Sequence, residues 1–119
     1  MANDLAGRTV LLVEDEFLVR LDLSWLLEEH GATVVSAGDL AEGLGHADGA
    51  WDVALLDVRL PDGDVFPLAE KLAERSVPLV FHSGHARLER LQRRFPGATI
   101  LAKPSRNEVL VRTLASQAV

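Results

Sequence analysis

The chain contains no cysteine, which excludes disulfides and thiol chemistry and fits a reducing compartment. It has no unbroken apolar run near the ~20 residues that a membrane span needs, and no leader pattern at its start. Positive charge is in short supply: 12 Lys and Arg against 18 Asp and Glu leave a formal net charge of −6. That balance argues against duplex nucleic acid as the main ligand, because binding a phosphate backbone needs clustered cations. Repeats, linkers and low-complexity segments are also missing. What is there is an ordinary globular composition, 48% apolar and 25% charged over 119 residues, enough for one domain with a real core. The expectation is a single cytoplasmic domain over 1–119, with no output domain attached, no membrane association and no nucleic-acid partner.

Short apolar runs alternate with longer helical patterns. The runs are TVLLV (9–13), TVVSA (33–37), DVALLDV (52–58), PLVFH (78–82) and ATILA (98–102). Most are rich in Val, Leu and Ile without in/out alternation, as parallel strands covered on both faces should be. Helical patterns occupy 15–30, 40–48, 65–75, 85–94 and 105–117. Two helix starts are legible. Asp39 precedes Glu42 by three, and Ser105 precedes Glu108 by three, the second being a full Ser-x-x-Glu capping box. Gly31, after Glu28-Glu29-His30, reads as a C-terminal helix stop. Five such units predict a doubly wound five-stranded parallel sheet with five helices.

In a doubly wound sheet, ligands sit beyond the carboxyl ends of the strands. Four strand ends here carry polar groups: Glu14 and Asp15 after the first, Asp57 after the third, Ser83 after the fourth and Lys103 after the fifth. Three carboxylates at one edge call for an oxygen-loving divalent cation, and Mg2+ suits one or two carboxylates with waters and a phosphate. A hydroxyl and an ammonium at the same edge are donors suited to a phosphoryl group. Singly, each is a weak signal; together they point to phosphoryl chemistry.

VLLVEDE, LLDVRLPDGD, VFHSGH and LAKP, in this order and spacing, resemble the receiver domain of two-component response regulators, from about Arg8 to the last helix. The resemblance implies the flavodoxin-like receiver fold. It implies Asp57 as phosphoacceptor, Mg2+ held by Glu14, Asp15, Asp57 and the backbone carbonyl of Arg59, Ser83 as switch hydroxyl, and Lys103 on the phosphoryl group. The implied donor is a histidine kinase or a phosphotransfer protein, and no external substrate is turned over. VPLVFHSGH is also similar to the PFxFATGY motif of a subgroup of mostly stand-alone receivers, with Ser83 for Thr and His85 for Tyr. Leu79 and His82 depart from that motif, which has Phe and Ala there. The subgroup implies an HWE-type kinase as donor. Most receivers carry an aromatic residue three before the lysine; here it is Ile100, which offers no ring for an aromatic-rotamer switch and again fits the subgroup.

Two other functions compete. A haloacid-dehalogenase-type phosphatase needs a second Asp two residues after the nucleophile, where this chain has Arg59. A phosphorylation-independent interaction module on a receiver scaffold usually loses one of the acids, the acceptor, the hydroxyl or the lysine, and all are here. Within the receiver reading, Asp57 must be ionised although two neighbouring carboxylates raise its pKa. A bound cation opposes that shift.

Other features admit two readings each. Val19, Leu23, Leu26 and Leu27 form one apolar helix face, and Phe17, Leu18, Leu21 and Trp25 fall on the opposite side. The second stripe either packs on the last helix or docks a kinase. Arg87, Arg90 and Arg94 share a face of the fourth helix, either simply solvated or meeting an acidic partner. His82 reads as a strand histidine with a packing role. His85 and Arg59 border the expected phosphoryl position, where they either shield the acyl phosphate or position the attacking water.

Overall fold

The computed structural model describes residues 3–84 and 88–118. Its elements run β1 (Thr9–Val13), α1 (Phe17–Glu29), β2 (Thr33–Ala37), α2 (Leu40–Gly45), β3 (Val53–Asp57), β4 (Arg59–Leu60), β5 (Gly63–Asp64), α3 (Phe66–Glu74), β6 (Leu79–Ser83), α4 (Leu88–Arg94), β7 (Thr99–Ala102) and α5 (Asn107–Gln117). Five strands make one parallel sheet in the order β2-β1-β3-β6-β7. This is the expected doubly wound arrangement of five strands and five helices.

The missing alternation in the strand sequences has a direct cause. Leu11, Val13, Leu56 and Phe81 enter a core with Leu68 and Leu72 of α3 and Leu91 of α4. Their neighbours Val10, Leu12, Leu55 and Val80 enter a second core with Leu23 and Leu27 of α1 and Leu110 and Leu114 of α5. Successive strand side chains point to opposite faces, so both must be apolar when helices cover both. Each fully buried Leu or Val contributes about 1.5–3 kcal/mol relative to exposure.

Local signals set most helix ends. At Gly31 (φ 95°), Gly31 N–H donates to Glu28 O and Ala32 N–H to Leu27 O, the paired bonds of a Schellman stop. Asp39 caps α2 by accepting from Glu42 N–H at 2.8 Å, while the Glu42 carboxylate accepts from Gly38 N–H at 2.7 Å. That helix ends at Gly45, short of the expected 48. The Ser105 capping box does not form. The Ser105 hydroxyl donates instead to Ala102 O at 2.6 Å, Arg106 is the N-cap without a side-chain bond, and Glu108 faces Arg106 at 3.8 Å. The short β4–β5 hairpin after β3 was not signalled by periodicity, since two-residue strands carry none. Among the described residues, no helix is long and apolar enough to cross a membrane.

Candidate functional site

The strand order reverses between β1 and β3, the place where open α/β sheets form a crevice at their carboxyl ends. Glu14 and Asp15 leave β1 there, Asp57 ends β3, Ser83 ends β6 and Lys103 follows β7. Main-chain bonds fix these ends to one another: Glu14 N–H donates to Ala37 O at 3.0 Å, and Lys103 N–H to Ser83 O at 2.9 Å. The five side chains named from the sequence thus share one edge. Asp15, Asp57, Ser83 and Lys103, with Glu16, Arg59 and Gly84, line a cleft of about 260 Å³.

Lys103 is the hub. Its Nζ donates to Glu14 Oε1 at 2.7 Å and to Asp57 Oδ2 at 3.2 Å. The Glu14 side chain is 3% exposed, and its Oε2 also accepts from Glu16 N–H at 3.0 Å. One oxygen from each of Glu14, Asp15 and Asp57 lies within 4.8 Å of the others. Lys103 thus bonds two of these three carboxylates, Glu14 and Asp57. An all-oxygen donor set short of positive charge fits a hard divalent cation such as Mg2+.

The electrostatics record the same imbalance. Burial pushes the Asp57 carboxyl up from 3.8 to about 6, with the Glu14 charge and a hydrogen bond from protonated Asp57 to Asp15 acting the same way and Lys103 opposing them. Burial is a larger cause than the neighbouring carboxylates, because β3 is an interior strand of the sheet. Burial depresses Lys103, but its bonds and attractions to Glu14 and Asp57 outweigh that and leave its pKa raised. His82 pairs with Asp57 in the β3–β6 register. It is buried, and burial, then the Lys103 charge, pushes its pKa from 6.5 down to about 4.

Two contributors left no sequence signal. Arg20 of α1 donates from Nη1 to Glu14 O at 2.7 Å and approaches Asp15 O at 3.4 Å, pinning the turn that carries both acids. Asp62, in the turn between β4 and β5, accepts from Leu40 N–H at 2.7 Å and Ala41 N–H at 2.9 Å. Neither contact has a spacing that a pattern search would recognise. Of the remaining expectations, Phe17, Leu18 and Trp25 are exposed at 64%, 72% and 57%, whereas Leu21 is half-buried. Arg94 leaves the basic face of α4: it binds Glu70 at 2.8 Å and stacks over Phe66 at 4.8 Å. Ile100 packs against the α3/α4 core. His85 and Arg87 lie outside the described residues.

A family model described as the response regulator receiver domain matches residues 10–115. The transcriptional regulatory protein PdtaR of Mycobacterium tuberculosis is 34% identical over 108 residues, covering 87% of this chain and 53% of that protein. The sensor protein TorS of Escherichia coli is 35% identical over 119 residues, covering 93% of this chain and 13% of that protein. The chain therefore spans about half the length of the first relative and a small part of the second. Among solved structures, a response regulator receiver protein from Sinorhizobium medicae superposes with a TM-score of 0.81 at 29% identity, over 92% of this chain and 94% of that one. The receiver domain of the hybrid histidine kinase CckA gives 0.77 at 31% identity, over 92% and 97%.

Proposed function

This chain belongs to the response regulator receiver domain family, and from that premise we propose that Asp57 is its phosphoacceptor, with Ser83 and Lys103 as the residues that engage the phosphoryl group. Phosphoryl acceptance is the function of the family, and receiver domains take the group from histidine kinases or phosphotransfer proteins. The observation that carries the assignment is the Asp57 carboxylate itself. It sits at the strand-order reversal, 3.2 Å from the Lys103 ammonium and beside two further carboxylates.

In the proposed step, an Asp57 oxygen attacks the phosphorus of a phosphohistidine. A P–O bond forms as the P–N bond breaks, and the nitrogen lone pair returns to the donor imidazole. Such transfer needs in-line positioning and charge neutralisation more than covalent help. Receiver domains bind Mg2+ at an acidic pocket; here Glu14, Asp15, Asp57 and the Arg59 carbonyl would hold it, and it would supply the positive charge that keeps Asp57 ionised. Lys103 neutralises from the other side, bridging Glu14 and Asp57 and offsetting their mutual repulsion. The product brings new acceptor oxygens, which the Ser83 hydroxyl engages. A hydrogen bond to a charged group contributes ~1.5–3 kcal/mol, a roughly ten- to hundredfold shift between two conformations. The outcome is a switch in protein–protein interaction. The similarity of VPLVFHSGH to the PFxFATGY motif supports an HWE-type kinase as the donor.

Intact-mass measurement tests the assignment. Incubation with Mg2+ and a small phosphodonor should add one phosphate to the wild type and none to Asp57→Asn. Equal labelling of the two would overturn it, and no labelling of either would favour an interaction module that works without phosphate.

A further inference from the structure

The loop that follows Asp57 is tied to a helix that phosphoryl transfer does not use. Residues 59–64 fold as the β4–β5 hairpin, with Arg59 opposite Asp64 and Leu60 opposite Gly63, closed by Val65 N–H on Val58 O at 2.9 Å. From the turn of this hairpin, Asp62 reaches the start of α2. Its Oδ1 accepts from Leu40 N–H at 2.7 Å and its Oδ2 from Ala41 N–H at 2.9 Å. These are the first two amides of the helix, which have no partner within it. The next amide, Glu42 N–H, goes to Asp39. Leu40 Cδ2 also lies close to the hairpin, 3.6 Å from where a Cβ at Gly63 would stand.

The connection continues past α2. Glu42 returns to Gly38 N–H at 2.7 Å, and the preceding residue, Ala37, accepts from Glu14 N–H at 3.0 Å. A line of hydrogen bonds and single peptide steps therefore joins the hairpin bearing Arg59 to the backbone of Glu14. The two loops that bracket the acidic site from β1 and β3 are bridged by the first turn of α2. Both Asp62 bonds are charge-assisted, and the two backbone donors hold its carboxyl below the usual range, so the ionised form makes the clamp.

We propose that Asp62 is a positioning residue: its carboxylate couples the hairpin bearing Arg59 to α2, so that cation binding at the acidic site and order at the start of α2 reinforce each other. The inference rests on the cation site of the proposed function and adds a destination, since coupling between two sites is reciprocal. If the clamp strengthens cation binding by some factor, the cation strengthens the clamp by the same factor. The start of α2 then reports whether the site is filled.

Amide NMR on the full chain tests this, with Mg2+ titrated into wild type, Asp62→Ala and Asp62→Asn. Loss of an outer residue that orients a ligand weakens metal binding by about tenfold at the lower end of the usual range, and that loss is expected for Asp62→Ala. Asp62→Asn, which keeps one acceptor oxygen, should fall between. In wild type, saturating Mg2+ should slow hydrogen exchange at Leu40 and Ala41 by a matching factor, and in Asp62→Ala it should not. A merely structural cap would change exchange at these amides without making it depend on Mg2+. Unchanged Mg2+ affinity in Asp62→Ala, or exchange at Leu40 and Ala41 indifferent to Mg2+ in wild type, would overturn the coupling alone. Absence of Mg2+ binding to wild type would overturn both this inference and the cation site beneath it.

Discussion

Asp57 and His82 stand opposite each other on β3 and β6, and burial drives their pKa values in opposite directions, to about 6 and about 4. The consequences for stability are opposite too. Between pH 3.8 and about 6 the folded chain holds a proton on Asp57 that the unfolded chain has released. An ionised Asp57 is thus a cost to the cation-free fold above that window, relieved as pH falls through it. Asp57→Asn should stabilise the Mg2+-free protein by about 1–3 kcal/mol near neutral pH, measured by urea unfolding; equal midpoints would show that Lys103 already offsets the burial. For His82 the unfolded chain takes up the proton first, below pH 6.5, and the folded chain only near 4. Stability is lost as pH drops through that interval, by about 2 kcal/mol at pH 5. Its Nε2 is buried without a hydrogen-bond partner among the described residues. His82→Leu should therefore remove this acid sensitivity, and its advantage over wild type should widen by about 2 kcal/mol from pH 7 to 5. A constant difference across the range would place the imidazole in a solvated setting. Glu14, Asp15, Asp57, Ser83 and Lys103 were legible in the sequence because each follows an apolar run. Arg20 and Asp62 were not, since a guanidinium on a main-chain carbonyl and a turn carboxylate on a distant helix leave no local pattern.

Helices α1 and α3 end in the same way with different residues. At α3, Ser76 N–H donates to Ala73 O and Val77 N–H to Leu72 O, repeating the bonds made at Gly31, but Ser76 holds φ 62° with a side chain attached. A left-handed residue other than glycine costs roughly 1–2 kcal/mol. Ser76→Gly should recover part of that and raise stability by about 0.5–1 kcal/mol, read as a higher unfolding midpoint; a lower one would assign the serine a role beyond the turn. At Gly31 the reverse change is doubly blocked, because an added Cβ would stand 2.9 Å from Ala6 Cα. The glycine stop was visible from sequence and the serine stop was not, for serine is rare where positive φ is needed. The Ser105 box failed for a complementary reason: its hydroxyl found a carbonyl three residues back before it could find an amide ahead. On α1, the outward stripe reads differently once burial is known. Leu18 is 72% exposed, so Leu18→Glu should leave stability within about 0.5 kcal/mol. If the stripe receives the phosphodonor, that variant should lose transfer from the cognate kinase while keeping labelling by a small phosphodonor. Equal loss with both donors would place the damage in the site instead.

Across the whole molecule, the sheet separates two apolar clusters that share no residue, one toward α3 and α4 and the other toward α1 and α5. The doubly wound parallel sheet was within reach of the sequence because five apolar runs alternating with helical patterns admit few topologies. The β4–β5 hairpin was not, since its two-residue strands gain their shape from contacts with α2 rather than from their own pattern. Separate clusters imply separate energetics. Leu68→Val on one side and Leu114→Val on the other, each costing about 1–2 kcal/mol, should sum to within about 0.5 kcal/mol in the double variant. Leu68→Val with Leu72→Val, neighbours on one face of α3 within one cluster, should depart from the sum. Matching departures in both pairs would mean that strain crosses the strands. The sheet then acts as a bulkhead. Either compartment can be refilled by substitution while the other keeps its shape, so the surface over α1 and α5 is free to drift toward a new partner without disturbing the packing beneath α3 and α4.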